Sequence, residues 1–334
     1  MIRFISFRRM AAAILVALAL AAPVTAQNTR ETYTNLKVLP KDIAPEELRG
    51  MMNGFTRALG VRCIHCHVGE EGKPFKPGAF ALDDKPEKLK ARVMIQMMRD
   101  LNEKVLPTLA TRSTPPVGVQ CVTCHRGAIQ PRMLQDVLKA TYDSEGIDST
   151  LAEYQTLRDR YYGRFTYDFG EVPLADLGNQ LGFSGHGADG ERLLSLNVDM
   201  NPQSRFAKRQ YALAAITQGF GSGDAAAGPA AYQRMKTRFG DTVVSEELVN
   251  EIGYDLMHEN QLDPAIAAFK LNVAGHPASG NAYDSMGEAY MQRGENKLAI
   301  QAYSRSLELD ATNENAKQKL VELKAKPARP KAKR

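Results

Sequence analysis

No apolar run in this sequence is long enough to cross a bilayer. The longest, "MAAAILVALALAAP" near the start, holds about fourteen residues against the roughly twenty that a spanning helix needs. Arg3, Arg8 and Arg9 surround its beginning and the small-residue stretch "VTA" follows it, so residues 1–26 are read as a secretory signal cleaved after Ala26 and are set aside from the fold. No cysteine follows directly on that point, which argues against a lipid anchor. The expectation is an exported, periplasmic protein with no membrane span once the signal is gone. Cysteine is also scarce, with four in 334 residues, too few for a disulfide framework in a chain of this length. Charge of one sign is missing from the body. The formal +5 is concentrated in the signal arginines and in the tail 324–334, "KAKPARPKAKR", leaving the rest mildly acidic. The tail is read as a basic disordered end, and no nucleic-acid partner is expected.

The four cysteines occupy two copies of one pattern. "VRCIHCHVGE" places Cys63, Cys66 and His67 in the order Cys-x-x-Cys-His, and "VQCVTCHRGA" repeats it with Cys121, Cys124 and His125. In an exported chain, cysteines are consumed by disulfides or by cofactors. This five-residue string is the attachment signal for haem c: two sulfurs add to the porphyrin's two vinyl groups, and the next histidine ligates the iron. Two covalently bound haem c groups are therefore expected, on Cys63 and Cys66 and on Cys121 and Cys124, with His67 and His125 as proximal iron ligands. A four-cysteine zinc site competes, but the stretch between the pairs is far longer than in compact zinc modules. A redox dithiol competes less well, since neither pair follows a strand in a βαβ pattern.

The residues around the motifs read as amphipathic helices joined by loops rich in Gly and Pro. "PEELRGMMNGFTRALG" has Pro45 in the first turn, Glu46 and Glu47 at the positive helix end, and Gly60 as its stop. A second helix is predicted from Pro86 to Leu106, with Leu89, Val93, Met97, Leu101 and Val105 on one side. Beyond about residue 145 the text becomes repetitive. A shift of 34 residues lays Gly253, Ala265 and Phe269 over Gly287, Ala299 and Tyr303, the period of helix-turn-helix repeats. A fainter copy has Gly178 and Leu194 at matching offsets, with Gly190 where Ala is expected. Roughly four hairpins are predicted. The glycine-rich "GFGSGDAAAG" lacks the Gly-Lys-Ser/Thr ending of a phosphate loop and reads as a connection between repeats. His186, His258 and His276 lack a second ligand-type residue at metal spacing and read as surface or loop residues. His65 reads as an exposed residue or a propionate partner.

Two resemblances extend this reading. "SMGEAYMQRGENKLAIQAYSRSLELDATN" resembles the tetratricopeptide family. "NLKVLPKDIAPEELRGMMNGFTRALGVRCIHCHV" and "ARVMIQMMRDLNEKVLP…VGVQCVTCHRG" resemble the cytochrome subunit of photosynthetic reaction centres and its diheme relatives, over residues 35 to about 130. That likeness implies a methionine on the helix preceding each Cys pair as distal iron ligand: Met52 for the first haem and Met94 for the second, with Met97 or Met98 as substitutes if the helix shifts. The family subunit carries four haems, so this chain corresponds to half of it.

The expected architecture is mainly α: a signal peptide (1–26), a multihaem c-type cytochrome domain (27–135), an α-solenoid of tetratricopeptide-like hairpins (145–323) and the tail (324–334). The expected function is electron carriage between redox proteins that meet the haem edges, with protein docking on the repeats. It is read as an electron-transfer protein rather than a catalyst. The alternatives are a haem enzyme that reduces peroxide or another small oxidant at an open iron, and a redox-sensing scaffold.

Overall fold

Pro45, two glutamates and Gly60 delimit the first helix where the sequence places it. Helix α1 runs Pro45–Leu59, with Glu46 and Glu47 in its first turn. It closes on Gly60 in the left-handed conformation (φ 66°), which a residue with a Cβ adopts only at a cost. The computed structural model describes residues 33–111 and 113–325. The signal segment 1–26 and all but the first two residues of the basic tail lie outside them. The chain divides into two compact units, one ending at Cys124 and one beginning at His125. The described residues form fourteen α-helices.

In the first unit, α1 is followed by a 3₁₀ turn over Cys63–His65. Helix α2 is regular over Pro86–Asp100, then widens into a π turn at Leu101–Val105 and tightens again at Leu106–Thr108. The predicted helix to Leu106 is therefore present, but its last turn is not α. The short helix α3, Cys121–His125, carries the second motif. The interior of this unit is small. Its buried apolar side chains are Leu39, Ile43, Ala58, Ala79 and Ile95, while Phe80, Leu89, Val93 and Met97 stand well exposed. The apolar stripe predicted along α2 is thus real but uncovered by protein, and the buried positions of that helix are Ile95 and, unexpectedly, Lys88.

The second unit opens with α4 (Leu134–Glu145) and α5 (Ile147–Tyr161), which pack on each other. Four hairpins follow: α6 (Glu171–Phe183) with α7 (Gly187–Met200), α8 (Arg205–Gly221) with α9 (Ala227–Phe239), α10 (Glu246–His258) with α11 (Leu262–Gly275), and α12 (Gly280–Gln292) with α13 (Asn296–Leu309). Helix α14 (Glu314–Ala325) packs on α13. Each hairpin buries one face against the next, giving a core that is continuous from Ala175 to Leu323, as stacked repeats require.

The hairpin geometry recurs in the hydrogen bonds. Asn197 at the end of α7 donates to the Glu171 carbonyl at 2.8 Å, and Asn272 at the end of α11 donates to the Glu246 carbonyl at 3.2 Å, a separation of 26 residues in both cases. Each asparagine ties the end of one helix to the start of its hairpin partner. In Asn197→Ala the Glu171 carbonyl loses its donor in a buried setting, and a denaturant titration should show a loss of about 1–3 kcal/mol. The weakest sequence copy is also explained. A Cβ on Gly190 would lie 2.4 Å from the Gly178 carbonyl, so α6 and α7 cross too closely for the expected alanine. "GFGSGDAAAG" ends α8, turns and starts α9, where a Cβ on Gly228 would overlap the Phe220 ring.

Candidate haem sites

A single turn of backbone gathers each motif. At the first, the His67 and Cys66 amides both donate to the Cys63 carbonyl, at 3.0 and 3.2 Å, which sets the two thiols and the imidazole on one turn. Lys85 donates from Nζ to the Ile64 carbonyl within that turn. At the second, Cys121–His125 is itself helical, and the Ala128 amide donates to the His125 carbonyl at 2.8 Å. The four thiols are unpaired. Burial pushes the Cys66 and Cys121 thiols above their ordinary value. That is the reverse of the lowered thiol a reactive dithiol uses. Among the described residues no three His, Cys, Asp or Glu side chains are grouped to hold a metal ion.

The two histidines differ. His125 Nδ1 lies 3.0 Å from the Ala128 carbonyl, so Nδ1 donates and Nε2 is the ring nitrogen left for iron. Arg126 and Gly127, which follow it, take positive φ, and Thr166 Oγ1 donates to the Arg126 carbonyl at 2.6 Å, fixing the turn. His67 Nδ1 is buried and completes no hydrogen bond. Its ring packs edge-on against Phe80 with centroids 5.0 Å apart. Burial, and then the Lys88 charge, hold this imidazole below its ordinary pKa.

The methionines sort by position. Met52 is half-buried on α1, two turns before the stop at Gly60. On α2, Met94 and Met97 are exposed, whereas Met98 is half-buried with Sδ 3.9 Å from Cys121 Sγ. Asn102, a residue with no signal in the sequence, makes that approach. Its Nδ2 donates to the carbonyls of Met98 (3.0 Å) and Val119 (2.8 Å), while its Oδ1 accepts from the Val119 amide at 2.7 Å. It staples the start of the π turn to the segment entering the second motif. Around the first motif, Asp83 binds Lys37, Lys88 and Arg92 at 2.8–3.1 Å. The Arg92 guanidinium, foremost, holds the Asp83 carboxyl far below the usual carboxylate range.

Of the remaining histidines, His186 packs against Tyr142 and His258 is exposed at the end of α10. His276 ends α11 with Nε2 buried and unpartnered. His65 is half-buried.

Several features of the first unit, and of the His125 turn that follows it, fit an iron porphyrin. Its thiols and imidazoles are correctly grouped, Nδ1 of His125 is occupied so that Nε2 is left, and the unit's interior is too small for its length while its apolar side chains stand uncovered. A fold of this kind, joined to stacked helical hairpins, defines a c-type cytochrome carrying an α-solenoid. Residues 6–150 match the family described as the photosynthetic reaction centre cytochrome C subunit. Among curated proteins, that subunit from Thermochromatium tepidum is 28% identical over 170 residues, which is 50% of this chain and 38% of the relative. Cytochrome c-554 of Chloroflexus aurantiacus is 37% identical over 71 residues, 21% of this chain and 15% of the relative. The chloroplastic tetratricopeptide repeat domain-containing protein PYG7 of Arabidopsis thaliana is 31% identical over 85 residues, 25% of this chain and 28% of the relative. The chain therefore spans well under half the length of these relatives. Its N-terminal part is thus similar to the reaction-centre cytochrome subunit, and the hairpins that follow are tetratricopeptide-like. No helix among the described residues is long and apolar enough to cross a membrane.

Proposed function

We propose that this protein is an exported diheme cytochrome that carries electrons between redox partners, with the repeat array as a protein-docking surface. The observation that carries the reading is the pair of motif turns, each presenting two thiols and an imidazole within five residues. Haem c held there supplies one-electron exchange at its iron. The residues that would hold the group are the four cysteines as tethers, the Nε2 of His67 and His125, and a methionine thioether at each site. Met52 is the distal candidate at the first site. At the second, the contact with Cys121 and the Asn102 staple favour Met98 over Met94 and Met97. A thioether ligand raises the potential relative to a second imidazole. A thioether held there would also leave no position for a small oxidant, which supports a carrier over a peroxide-reducing enzyme.

A pyridine haemochrome assay with intact mass, on protein matured in a periplasm, tests the reading directly. Two covalent porphyrins per chain and low-spin ferric spectra are the expected result. A colourless protein, or a single porphyrin, would overturn the diheme reading. For the docking role, a chain ending at residue 204, which keeps Thr166 and its bond to the Arg126 carbonyl, should keep both haems but deliver electrons to its partner more slowly.

A further inference from the structure

Lys88 is the anomaly of the first unit. Lysine is rarely buried without a partner, yet this one is 9% exposed on a helix whose apolar stripe faces outward. Its ammonium donates to the Phe80 carbonyl at 2.9 Å and to the Leu82 carbonyl at 2.6 Å, and pairs with Asp83 at 3.0 Å. The Phe80 carbonyl also acts on the His67 ring as a hydrogen-bond acceptor, but burial and the Lys88 charge outweigh it. His67 Nδ1 completes no hydrogen bond of ordinary geometry. At the second motif nothing comparable occurs: His125 Nδ1 has the Ala128 carbonyl to itself at 3.0 Å.

These two environments act in opposite directions on an iron bound through Nε2. A histidine that donates its other N–H to a carbonyl becomes a stronger electron donor and favours ferric iron. One whose acceptor is shared with an ammonium, and which has that positive charge beside it, favours ferrous iron. We propose that Lys88, anchored by Asp83, sets the first haem's potential above the second's by competing for the Phe80 carbonyl and placing a positive charge beside His67. Internal transfer then runs from the haem on Cys121 and Cys124 to the haem on Cys63 and Cys66. Lys88 is a positioning residue that acts through His67. The inference rests on the haem reading given above.

The test is a spectroelectrochemical titration of the haem-loaded full chain. The two steps are assigned with a variant in which Cys63 and Cys66 are both alanine, leaving only the second haem. In Lys88→Met the midpoint of the first haem should fall toward that of the second, which should stay where it was. Lys88→Arg, which keeps the charge and a donor, should restore most of the difference. Asp83→Asn removes a negative charge while leaving Lys88 in the chain, and should move the first midpoint upward. The opposite signs separate tuning from damage, because loosening around the haem would shift both variants the same way. The inference is overturned if Lys88→Met leaves the first midpoint unmoved, if Lys88→Met and Asp83→Asn shift it in one direction, or if the second haem proves the higher in the unaltered chain. An unaltered chain that carries no haem would instead refute the function itself.

Discussion

Met98→Ala should convert about one haem in two to a high-spin ferric form and lower that haem's potential, while Met94→Ala and Met97→Ala leave both haems close to their original state. The three residues lie within five positions of α2, so the expectation depends on geometry rather than on residue type. Met98 alone of the three is half-buried and touches the second motif, with Sδ 3.9 Å from Cys121 Sγ. Met94 and Met97 are 39% and 46% exposed. The Asn102 amide sits one turn beyond Met98, bonded to its carbonyl and, in both directions, to the backbone of Val119. Asn102→Ala should accordingly give a weaker version of the same change, because the methionine is kept but its approach is loosened. The measurement is the ferric visible spectrum and redox titration of the four variants. If Met94→Ala produced the high-spin form and Met98→Ala did not, the assignment would be reversed.

The family resemblance puts the second distal ligand at Met94, with Met97 or Met98 as substitutes, and the residues themselves do not choose among the three. Helical periodicity places residues on faces, and Met94 and Met98 share a face at a spacing of four. It cannot say which of them meets a segment more than twenty residues further on. That choice is made by the π turn after Asp100 and by the hydrogen bonds of Asn102 across seventeen residues, neither of which has a local signature. Lys88 was hidden for a similar reason. A lysine between Glu87 and Leu89 looks solvated, and its burial follows only from the loop that brings the Phe80 and Leu82 carbonyls over it. By contrast, α1 was legible at both ends, because Pro45 and Gly60 act on their own backbone. The repeats were legible because the same packing problem recurs every 34 residues: Gly253 lies against Phe269, and Gly287 against Tyr303. The α2 stripe was read correctly as apolar, yet it faces away from the protein interior. Periodicity reports that a face avoids water, and the partner that covers it need not be polypeptide.

Phe269→Ala should produce the largest loss of stability in the repeat array, about 3–5 kcal/mol for emptying a fully buried aromatic site. The side chain is 0% exposed, and Tyr254 meets it edge-on with centroids 5.4 Å apart, an aromatic pair that adds about 0.5–1.5 kcal/mol beyond area burial. It also fits against bare backbone. A Cβ on Gly253 would lie 2.4 Å from its ring, so α10 and α11 approach at the one distance this pair of residues allows. The site cannot collapse easily, since the backbone on one side is already in contact and the hairpin is held on both sides, by α8 and by α12. In a linear array each hairpin is stabilised by its neighbours. Loss of Phe269 should therefore weaken both interfaces of α10 and α11, and denaturant titration followed by far-ultraviolet circular dichroism should show an early transition for part of the helix content. Gly253→Ala should destabilise from the opposite cause, overpacking, by about 1–3 kcal/mol. A double variant with Gly253→Ala and Phe269→Ala should lose less than the sum, because the added methyl enters the space the ring has left. Additive losses in that cycle would show that the glycine and the ring are not packing partners, and the explanation of the 34-residue period would fail with them.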